Sequence, residues 1–336
     1  MKKYISFLLV AAMTLLCLSG CGSITNKQSE KLQIVTTIFP VYDWAKEILG
    51  DNADRTELTM LLDNGVDLHS YQPTADVLIK IATCDMFIYV GGESDGWVED
   101  ALKNATNKDM VVINLMESLG DSVKVEEIVE GMQKSEHDHK DESEHEVEHD
   151  HEDESEHGHS DEHVWLSLKN AEILCRAIAD KLAELDPDHK DGYSADMSTY
   201  IAKLSDLNAK YKAAVDSAAK KTVLFGDRFP FRYLVDDYNL DYYAAFSGCS
   251  AESEASFETI TFLSNKVDEL GLTSVLTIEG TKQKIAETII SNTKSKNQQV
   301  LTMDSLQSTT SIDVKNGTTY LSVMEQNLEV LKDALK

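Results

Sequence analysis

Residues 135–163 interleave histidines with acids, and this tract limits what the chain can fold into more than any other feature. It holds eight of the ten histidines, fourteen Asp and Glu residues and one lysine. So little apolar surface cannot offset the entropy cost of ordering a backbone, so we expect a solvated, flexible loop rather than a helix or strand. Imidazole nitrogens and carboxylate oxygens together suit borderline divalent metals such as zinc. The tract therefore predicts an auxiliary metal-binding loop, with the candidate ligands His137, His139, His145, His149, His151, His157 and His159.

The alternative for this tract is an acidic linker with incidental histidines. We disfavour it because a histidine recurs every two to six residues. The tract also supplies about half of the formal charge of −28, which arises from 31 basic and 59 acidic residues. An acidic surface argues against nucleic acid as a partner and favours cationic ligands.

The N-terminus has the pattern of a targeting segment. Two lysines precede an apolar run, Ile5–Leu18, which is too short for a confident transmembrane helix. The run ends in Leu18-Ser19-Gly20-Cys21, which resembles the lipobox of bacterial lipoproteins. We therefore expect a signal peptide over residues 1–20, lipidation of Cys21 and a polar tether over 21–31. Such an anchor would hold the protein at the outer face of the cell membrane without spanning it; a plain secretory signal is the alternative.

Three further cysteines, Cys84, Cys175 and Cys249, remain in the predicted mature chain. An odd number leaves at least one thiol unpaired within the chain. The sequence has no Cys-x-x-Cys, so neither a redox motif nor a zinc knuckle is indicated.

Beyond the tether, 336 residues with 42% hydrophobic composition allow two domains with their own cores. Residues 32–134, completed by 164–187, alternate short β-branched runs with helical periodicity, which predicts βαβ units and a mainly parallel sheet. The predicted strands of this N-terminal lobe are Ile34–Thr37, Thr56–Leu62, Met86–Val90 and Val111–Ile113, and its predicted helices include one from Pro40, Thr74–Thr83 and Leu168–Leu185.

Residues 188–219 keep helical spacing over about 45 Å, more than one compact domain needs. We interpret this stretch as a rigid helix that connects two lobes. The C-terminal lobe, 220–336, repeats the first in outline. Its predicted elements are strands at Thr222–Phe225, Tyr242–Ala245, Ser274–Ile278 and Gln299–Met303, and helices at Phe257–Leu270, Gln283–Asn292 and around Leu321–Leu331. The predicted fold class is therefore α/β, with two lobes, a long linking helix and a cleft between the lobes.

Four polar residues follow predicted strands or border the tract, where open α/β sheets collect ligands. His69 lies in the loop after the second strand, and His163 lies where the tract returns to apolar sequence. Glu279 and Asp304 follow strands of the second lobe. Two imidazoles with one or two carboxylates suit zinc or manganese. Each residue alone is a weak signal, since a loop histidine is often structural and an acid after a strand often caps a helix.

Several motifs resemble those of the lipoproteins that feed zinc and manganese to ABC importers, the cluster A-I solute-binding family. The motifs are Gly65-Val66-Asp67-Leu68-His69-Ser70-Tyr71-Gln72-Pro73, His163-Val164-Trp165-Leu166, Leu301-Thr302-Met303-Asp304-Ser305, the opening Ile34–Pro40 and the ending Tyr320–Leu328. The resemblance implies two pseudo-symmetric lobes, one metal ion between them, a monomer, and an ABC permease with its ATPase as partners. The acidic histidine tract resembles that of the zinc-uptake branch.

One departure from the family pattern affects the ligand set. Family members usually place a His or Glu ligand just after the first strand of the second lobe, where this chain has Gly226. Asp227 could substitute, or it could pair with Arg228 and be structural. Cys249 and Glu252 are less favoured substitutes. The preference for zinc over manganese therefore stays open.

The leading functional hypothesis is extracytoplasmic capture of a divalent metal, with Zn²⁺ favoured over Mn²⁺, and delivery to an ABC permease. The tract would bind zinc weakly and pass it to His69 and His163. The alternatives are a manganese-binding homologue, a surface metal buffer or adhesin without a transport role, and a zinc hydrolase. The hydrolase is the most remote, because no Ser or Cys nucleophile is recognisably paired with a base; we expect no enzymatic activity.

Overall fold

Two four-stranded parallel sheets, one in each lobe, form the frame of the molecule. This computed structural model describes residues 31–133, 159–250 and 254–336. The strands are β1 Leu32–Thr36, β2 Thr56–Met60, β3 Met86–Tyr89, β4 Val111–Asn114, β5 Thr222–Phe229, β6 Asp241–Ser247, β7 Ser274–Ile278 and β8 Gln299–Met303. The strand orders are β2-β1-β3-β4 and β6-β5-β7-β8, so the two-lobed α/β prediction is confirmed.

Helices cover the faces of both sheets. They are α1 Phe39–Leu49, α2 Ala75–Thr83, α3 Val98–Lys103, α4 Leu115–Leu119, α5 Leu168–Leu185, α6 Lys190–Ser217, α7 Arg232–Tyr238, α8 Phe257–Leu270, α9 Lys284–Asn292, α10 Ser311–Lys315 and α11 Tyr320–Ala334. Local sequence explains where several of these helices begin. Pro40 opens the first turn of α1, and the Ser167 side chain caps α5 by accepting a hydrogen bond from Asn170 N. The bounds predicted for α5, α8, β7 and β8 are those observed.

In the first lobe, β1 is central and pairs in parallel with β2 and β3. Ile34 aligns with Leu58 on one side and Met86 on the other. Since the strands are parallel, their carboxyl ends all meet at one edge of the sheet, and the loops that leave this edge carry polar side chains into the space between the lobes.

In the second lobe, β5 runs further than the sequence predicts. The strand continues to Phe229, and its pairing with β6 shifts register between Phe225 and Arg228. An irregularity of this kind bends a strand and redirects the side chains that follow it. The predicted end at Phe225 is therefore wrong by four residues, and Gly226 and Asp227 lie within the strand rather than in a loop after it.

The long helix α6 has 28 residues and so extends about 42 Å, close to the predicted span. It packs against α1 and α5 of the first lobe and against α7 and α11 of the second. Tyr211 is fully buried, and its hydroxyl donates to the backbone oxygen of Met324 at 2.6 Å. The helix thus contributes to the cores of both lobes, and the prediction of a long connecting helix is confirmed.

The last helix, α11, fastens the second lobe to the first. Tyr320 N donates to Asp43 Oδ2 at 2.8 Å, and the Trp44 and Tyr320 rings pack edge to face with centroids 5.1 Å apart. Burial raises the pKa of Asp43 to about 6. The Tyr320 hydroxyl donates to the backbone oxygen of Trp165 at 2.7 Å, which ties this helix to the segment that carries His163.

Some predictions concern residues that the structure does not describe. These are the signal peptide, the lipidation site Cys21, the alternative ligand Glu252 and six histidines of the tract: His137, His139, His145, His149, His151 and His157. Within 31–133, 159–250 and 254–336, no helix combines the length and apolar character needed to cross a bilayer.

Candidate metal centre

His69 is fixed by a short turn after β2. Asp67 caps the 3-10 turn Leu68–Ser70, and its Oδ1 accepts from His69 N at 3.0 Å. Leu68 is buried and anchors the turn in the lobe. Asp67 Oδ2 also pairs with Arg228 Nη2 at 2.7 Å, so a residue of β5 in the second lobe holds the turn that carries His69. Burial raises the pKa of Asp67, but the Arg228 guanidinium outweighs this and lowers it overall.

His163 lies at the end of a strand-like segment that pairs with residues 124–126. Asp161 N donates to Lys124 O at 2.8 Å, and the Tyr233 hydroxyl donates to Asp161 O at 2.8 Å. The next residues, Val164–Leu166, are fully buried, and Trp165 Nε1 donates to Ser305 O at 2.9 Å. The His-x-Trp-Leu motif is thus explained by packing: the tryptophan anchors the segment against the second lobe and fixes the imidazole beside it.

The two imidazoles meet between the lobes. His69 Nε2 and His163 Nε2 are 3.2 Å apart, and His163 has no solvent exposure. Two nitrogens bound tetrahedrally to one zinc ion at about 2.05 Å lie about 3.3 Å from each other. These two histidines are the ligands predicted from the sequence, and the structure brings them together at the separation that a shared metal ion requires.

The other ring nitrogen of each histidine has its own partner. His163 Nδ1 lies 2.9 Å from Asp161 Oδ1, which can accept its proton and so leaves a lone pair on His163 Nε2. His69 Nε2 then donates to that lone pair, and His69 Nδ1, 2.7 Å from Ser94 Oγ, accepts from the hydroxyl. This tautomer assignment follows from the hydrogen-bond network. For both Nε2 atoms to bind one ion, the proton on His69 has to move to Nδ1.

Glu162 provides an acceptor for that proton. Its Oε1 accepts from Ser94 N at 2.8 Å, whereas Oε2 is buried, has no hydrogen-bond partner among the described residues and lies 3.5 Å from His69 Nδ1. Gly92, at φ +81°, allows this approach, because a Cβ there would stand 2.4 Å from Oε1. Burial raises the pKa of Glu162. A buried carboxylate behind a metal-bound imidazole orients the ring and increases its basicity.

The electrostatics of the site keep His69 ready for a metal. Burial, together with the nearby His163, lowers the pKa of His69 to about 4. The ring is therefore neutral at physiological pH, so a metal ion does not have to displace a proton from a charged imidazolium.

Cys249 is the third member of this cluster. Its Sγ and a ring nitrogen each of His69 and His163 all lie within 4.8 Å of one another, the one such group of three potential ligands among the described residues. The sequence analysis ranks this cysteine as a less favoured substitute. One sequence feature could have favoured Cys249. It lies in the turn Ser247-Gly248-Cys249-Ser250, which begins at the last residue of β6, at the carboxyl edge of the sheet.

The three acids of the predicted ligand set lie outside this cluster. Asp227 Oδ1 accepts from Arg228 N at 2.9 Å and Oδ2 from Ile278 N at 3.3 Å. Its neighbour Arg228 directs its guanidinium to Asp67, so the hydrogen bond between Arg228 and Asp227 comes from the backbone nitrogen. Burial raises the pKa of Asp227. Its role as a metal ligand stays a prediction.

Glu279 and Asp304 lie at the ends of β7 and β8, as the sequence analysis expects, and hold the loop that follows β8. Glu279 accepts from Ser305 N and Ser305 Oγ, both at 2.7 Å, and from Ser308 Oγ at 3.0 Å. Asp304 Oδ1 accepts from Leu306 N at 2.7 Å. Burial and the nearby Glu279 raise the pKa of Asp304 to about 6. Ligation by these two carboxylates also stays a prediction.

The tract returns to the described structure close to the site. His159 Nδ1 contacts Glu93 Oε1, and Glu93 precedes Ser94, the partner of His69. The sequence predicts that residues 159–163 belong to the flexible tract. The structure describes these residues, and Asp161 contacts His163. Among the seven auxiliary ligands predicted in the tract, His159 is the one with a described position.

Two α/β lobes around one buried and one partly buried imidazole define the class, which is a two-lobed protein with a candidate site for a divalent metal ion. A family model described as "Zinc-uptake complex component A periplasmic", ZnuA, matches residues 34–334. The chain belongs to this family.

Named relatives agree with this assignment. The chain is 30% identical over 99% of its length to the "High-affinity zinc uptake system protein ZnuA" of Bacillus subtilis, of which it covers 98%. It is 33% identical over 97% of its length to "Zinc-binding lipoprotein AdcA" of Streptococcus pneumoniae, and it spans 60% of that longer protein. Among solved structures, the Zn(II)-bound ZnuA-like domain of Streptococcus pneumoniae AdcA matches with a TM-score of 0.68 and 28% identity, covering 91% of this chain and 99% of that domain.

Proposed function

We propose that this protein captures Zn²⁺ outside the cytoplasm and delivers it to an ABC permease, with His69 and His163 as the central ligands. The observation that carries the proposal is the 3.2 Å separation of the two Nε2 atoms in a buried site. Each ring has a carboxylate beside its Nδ1, which are Asp161 for His163 and Glu162 for His69. Such pairs are the usual support for histidines that bind zinc.

The relatives support zinc as the cargo. The names of the Bacillus subtilis and Streptococcus pneumoniae proteins specify zinc uptake and zinc binding, and the similar solved domain contains Zn(II). The family name places its members outside the cytoplasm, which agrees with the lipidation expected at Cys21. We infer that the lipid chains of Cys21 hold the protein close to the permease that receives the metal.

The histidine tract serves, in this proposal, as a first receiver of zinc. The tract supplies imidazole and carboxylate groups for this role, and its described end, His159, lies beside Glu93. The path inward begins at His159, continues past Glu93 to Ser94 and ends at His69. Weak ligands at the entrance would raise the local concentration of zinc without competing with the inner site.

The direct test is metal content measured by inductively coupled plasma mass spectrometry on the purified protein and on a double variant, His69→Ala with His163→Ala. We expect about one tightly held zinc ion per wild-type chain after dialysis against a weak chelator, and none in the double variant. Replacing His189, which pairs with Asp186 away from the site, by Ala provides a matched control that should keep its zinc. Equal zinc content in the wild type and the double variant would refute the assignment.

The role of the tract is tested separately by deleting Glu136–His157. This deletion spares Asp161, which contacts His163 and whose loss would damage the inner site itself. We expect isothermal titration to retain one tight zinc site, and stopped-flow mixing to show slower zinc acquisition at low zinc concentration. Loss of the tight site in a folded deletion variant would contradict the division of roles.

A further inference from the structure

The turn after β6 presents a thiol to the two imidazoles. We propose that Cys249 binds the metal as a thiolate beside His69 and His163, and that this sulfur ligand makes the site reject Mn²⁺. The inference rests on the proposed function, since it assumes that the two histidines hold the ion. It extends that function by naming a third ligand and the class of metal that the site accepts.

Cys249 is held in place from both lobes. Ser250 N donates to Ser247 O at 3.3 Å, which closes the turn, and Cys249 N donates to Glu126 Oε1 at 3.1 Å. Gly248 lets the turn lie directly on His163, because a Cβ there would stand 3.0 Å from His163 Cε1 and 2.9 Å from Phe229 O. The close approach of this turn to the imidazole therefore depends on the glycine that precedes the cysteine.

The position at which the family resemblance implies a third ligand cannot supply one here. Gly226 lies within β5, and a Cβ built on it would stand 2.6 Å from the Cα of Ala286 and 2.8 Å from its backbone nitrogen. Because those are backbone atoms of helix α9, any larger residue would require the helix to move. The second lobe thus lacks a side chain at that position and brings Cys249 to the imidazoles instead.

The thiol is free to bind a metal. Cys249 forms no disulfide with another described cysteine, since Cys84 and Cys175 are also free thiols. A cysteine thiol keeps its proton near neutral pH. Binding breaks the S–H bond, forms the metal–sulfur bond and releases one proton to solvent.

A sulfur ligand decides which metals the site prefers. Thiolates favour zinc and other borderline or soft ions, whereas Mn²⁺ prefers carboxylates and water and binds most weakly among the divalent first-row metals. Two imidazoles and one thiolate therefore favour zinc more strongly than two imidazoles with carboxylates alone. The preference for zinc over manganese, which the sequence leaves open, would follow from one residue.

The test compares the wild-type protein with Cys249→Ser and Cys249→Ala, and with Cys175→Ala as a control that removes a buried thiol from α5. Each protein is loaded with Co²⁺, and a sulfur-to-cobalt charge-transfer band is sought in the near ultraviolet. Zinc affinity by chelator competition and Mn²⁺ affinity by titration are then measured. Thermal unfolding without metal shows which variants fold.

We expect the charge-transfer band in the wild type and the control, and its loss in both Cys249 variants. Zinc affinity should fall about tenfold or more in those variants, since changes in outer-shell partners alone cost about 10- to 100-fold. Mn²⁺ affinity should change little, so the ratio of zinc to manganese affinity should fall by about the same factor. Calorimetry in buffers of different ionisation enthalpy should show one fewer proton released per zinc.

A wild-type protein without the charge-transfer band, and Cys249 variants that bind zinc as tightly as the wild type, would overturn the inference. If the same wild-type protein still lost its zinc on replacement of His69 and His163, the proposed function would stand without Cys249. If the double variant His69→Ala with His163→Ala retained its zinc, that result would refute the proposed function itself.

Discussion

The two lobes contribute to the candidate metal centre in different ways. The first lobe supplies two imidazoles, each with a hydrogen-bonding partner at Nδ1, at 2.9 Å for His163 and 2.7 Å for His69. The second lobe supplies one thiol in a turn, and its three predicted acids hold backbone and hydroxyl groups of their own lobe. In the first lobe, side chains hydrogen-bonded to the two imidazoles hold them in place. In the second lobe, the thiol is positioned mainly by the backbone of its turn.

This difference shows how a two-lobed binding protein can change its metal preference. Substitutions in the first-lobe half of the site would change the two histidines, their hydrogen-bonding partners and the packing of Trp165 together. Changing a turn or a loop in the other half replaces one ligand at little cost to the fold. The lobes remain joined through the Arg228–Asp67 pair and the Trp165–Ser305 hydrogen bond, so a change in the second lobe still reaches the histidines.

Among substitutions in the first-lobe half of the site, Asp161→Asn is expected to have the largest effect on zinc affinity. The amide can still accept the proton of His163 Nδ1, but it no longer carries the charge that increases the basicity of the ring. We expect zinc affinity to fall about 10- to 100-fold with little loss of fold, measured by chelator competition. Asp51→Asn, at an exposed position, is the control. Unchanged affinity would show that the carboxylate only positions the backbone.

Glu162→Gln should produce two effects of opposite sign. Removing a buried carboxylate whose Oε2 lacks a hydrogen-bond partner should stabilise the metal-free protein by about 1 kcal/mol. The same change should weaken zinc binding by about tenfold, because the proton that moves to His69 Nδ1 loses its charged acceptor. Denaturant unfolding without metal and zinc competition measure the two effects. A loss of both stability and affinity would indicate a purely structural role.

A smaller effect is expected from Arg228→Met, which removes the ion pair between the lobes. Partly exposed pairs contribute about 0.2–1 kcal/mol, so zinc affinity should fall about 1.4- to fivefold. The loss should appear as faster zinc release in stopped-flow experiments. For the wild type, high salt should reproduce part of the effect because salt screens the pair. Arg232→Met, which removes a residue paired with Glu127, is the matched control.

The smallest effect on zinc is expected from Asp304→Asn, since its carboxylate lies outside the three-residue cluster. Its folded pKa of about 6 lies above its ordinary value of 3.8, so the folded protein binds the proton more tightly than the unfolded chain. This contribution to stability is fully present below about pH 4 and is lost as pH rises through about 6.

Denaturant unfolding between pH 4 and 7 checks this prediction. The wild type should gain stability relative to the variant as pH falls. Identical pH profiles would contradict the shifted pKa, and a loss of zinc affinity as large as that of the histidine variants would support Asp304 as a metal ligand.

Much of the fold follows from local sequence. The helix α5 begins at a serine cap, and α8 does the same at Ser256. The strands β7 and β8 each contain a short apolar run, so the limits of these four elements could be predicted. The limit of β5 could not, because its continuation past Gly226 depends on pairing with β6 and packing against α9, both distant in sequence.

The sequence by itself determined the two-lobed α/β architecture and the long helix and pointed to the two candidate histidines, because periodicity and short motifs encode them within a few residues. Only the tertiary structure showed that the Cys249 side chain of the second lobe lies within 4.8 Å of ring nitrogens of both histidines. Asp227, Glu279 and Asp304 are engaged by backbone and hydroxyl groups that folding brings to them, whereas Gly248 lets Cys249 approach His163. The distance between a ligand and its site depends on contacts between remote segments, and such contacts leave no local pattern in the chain.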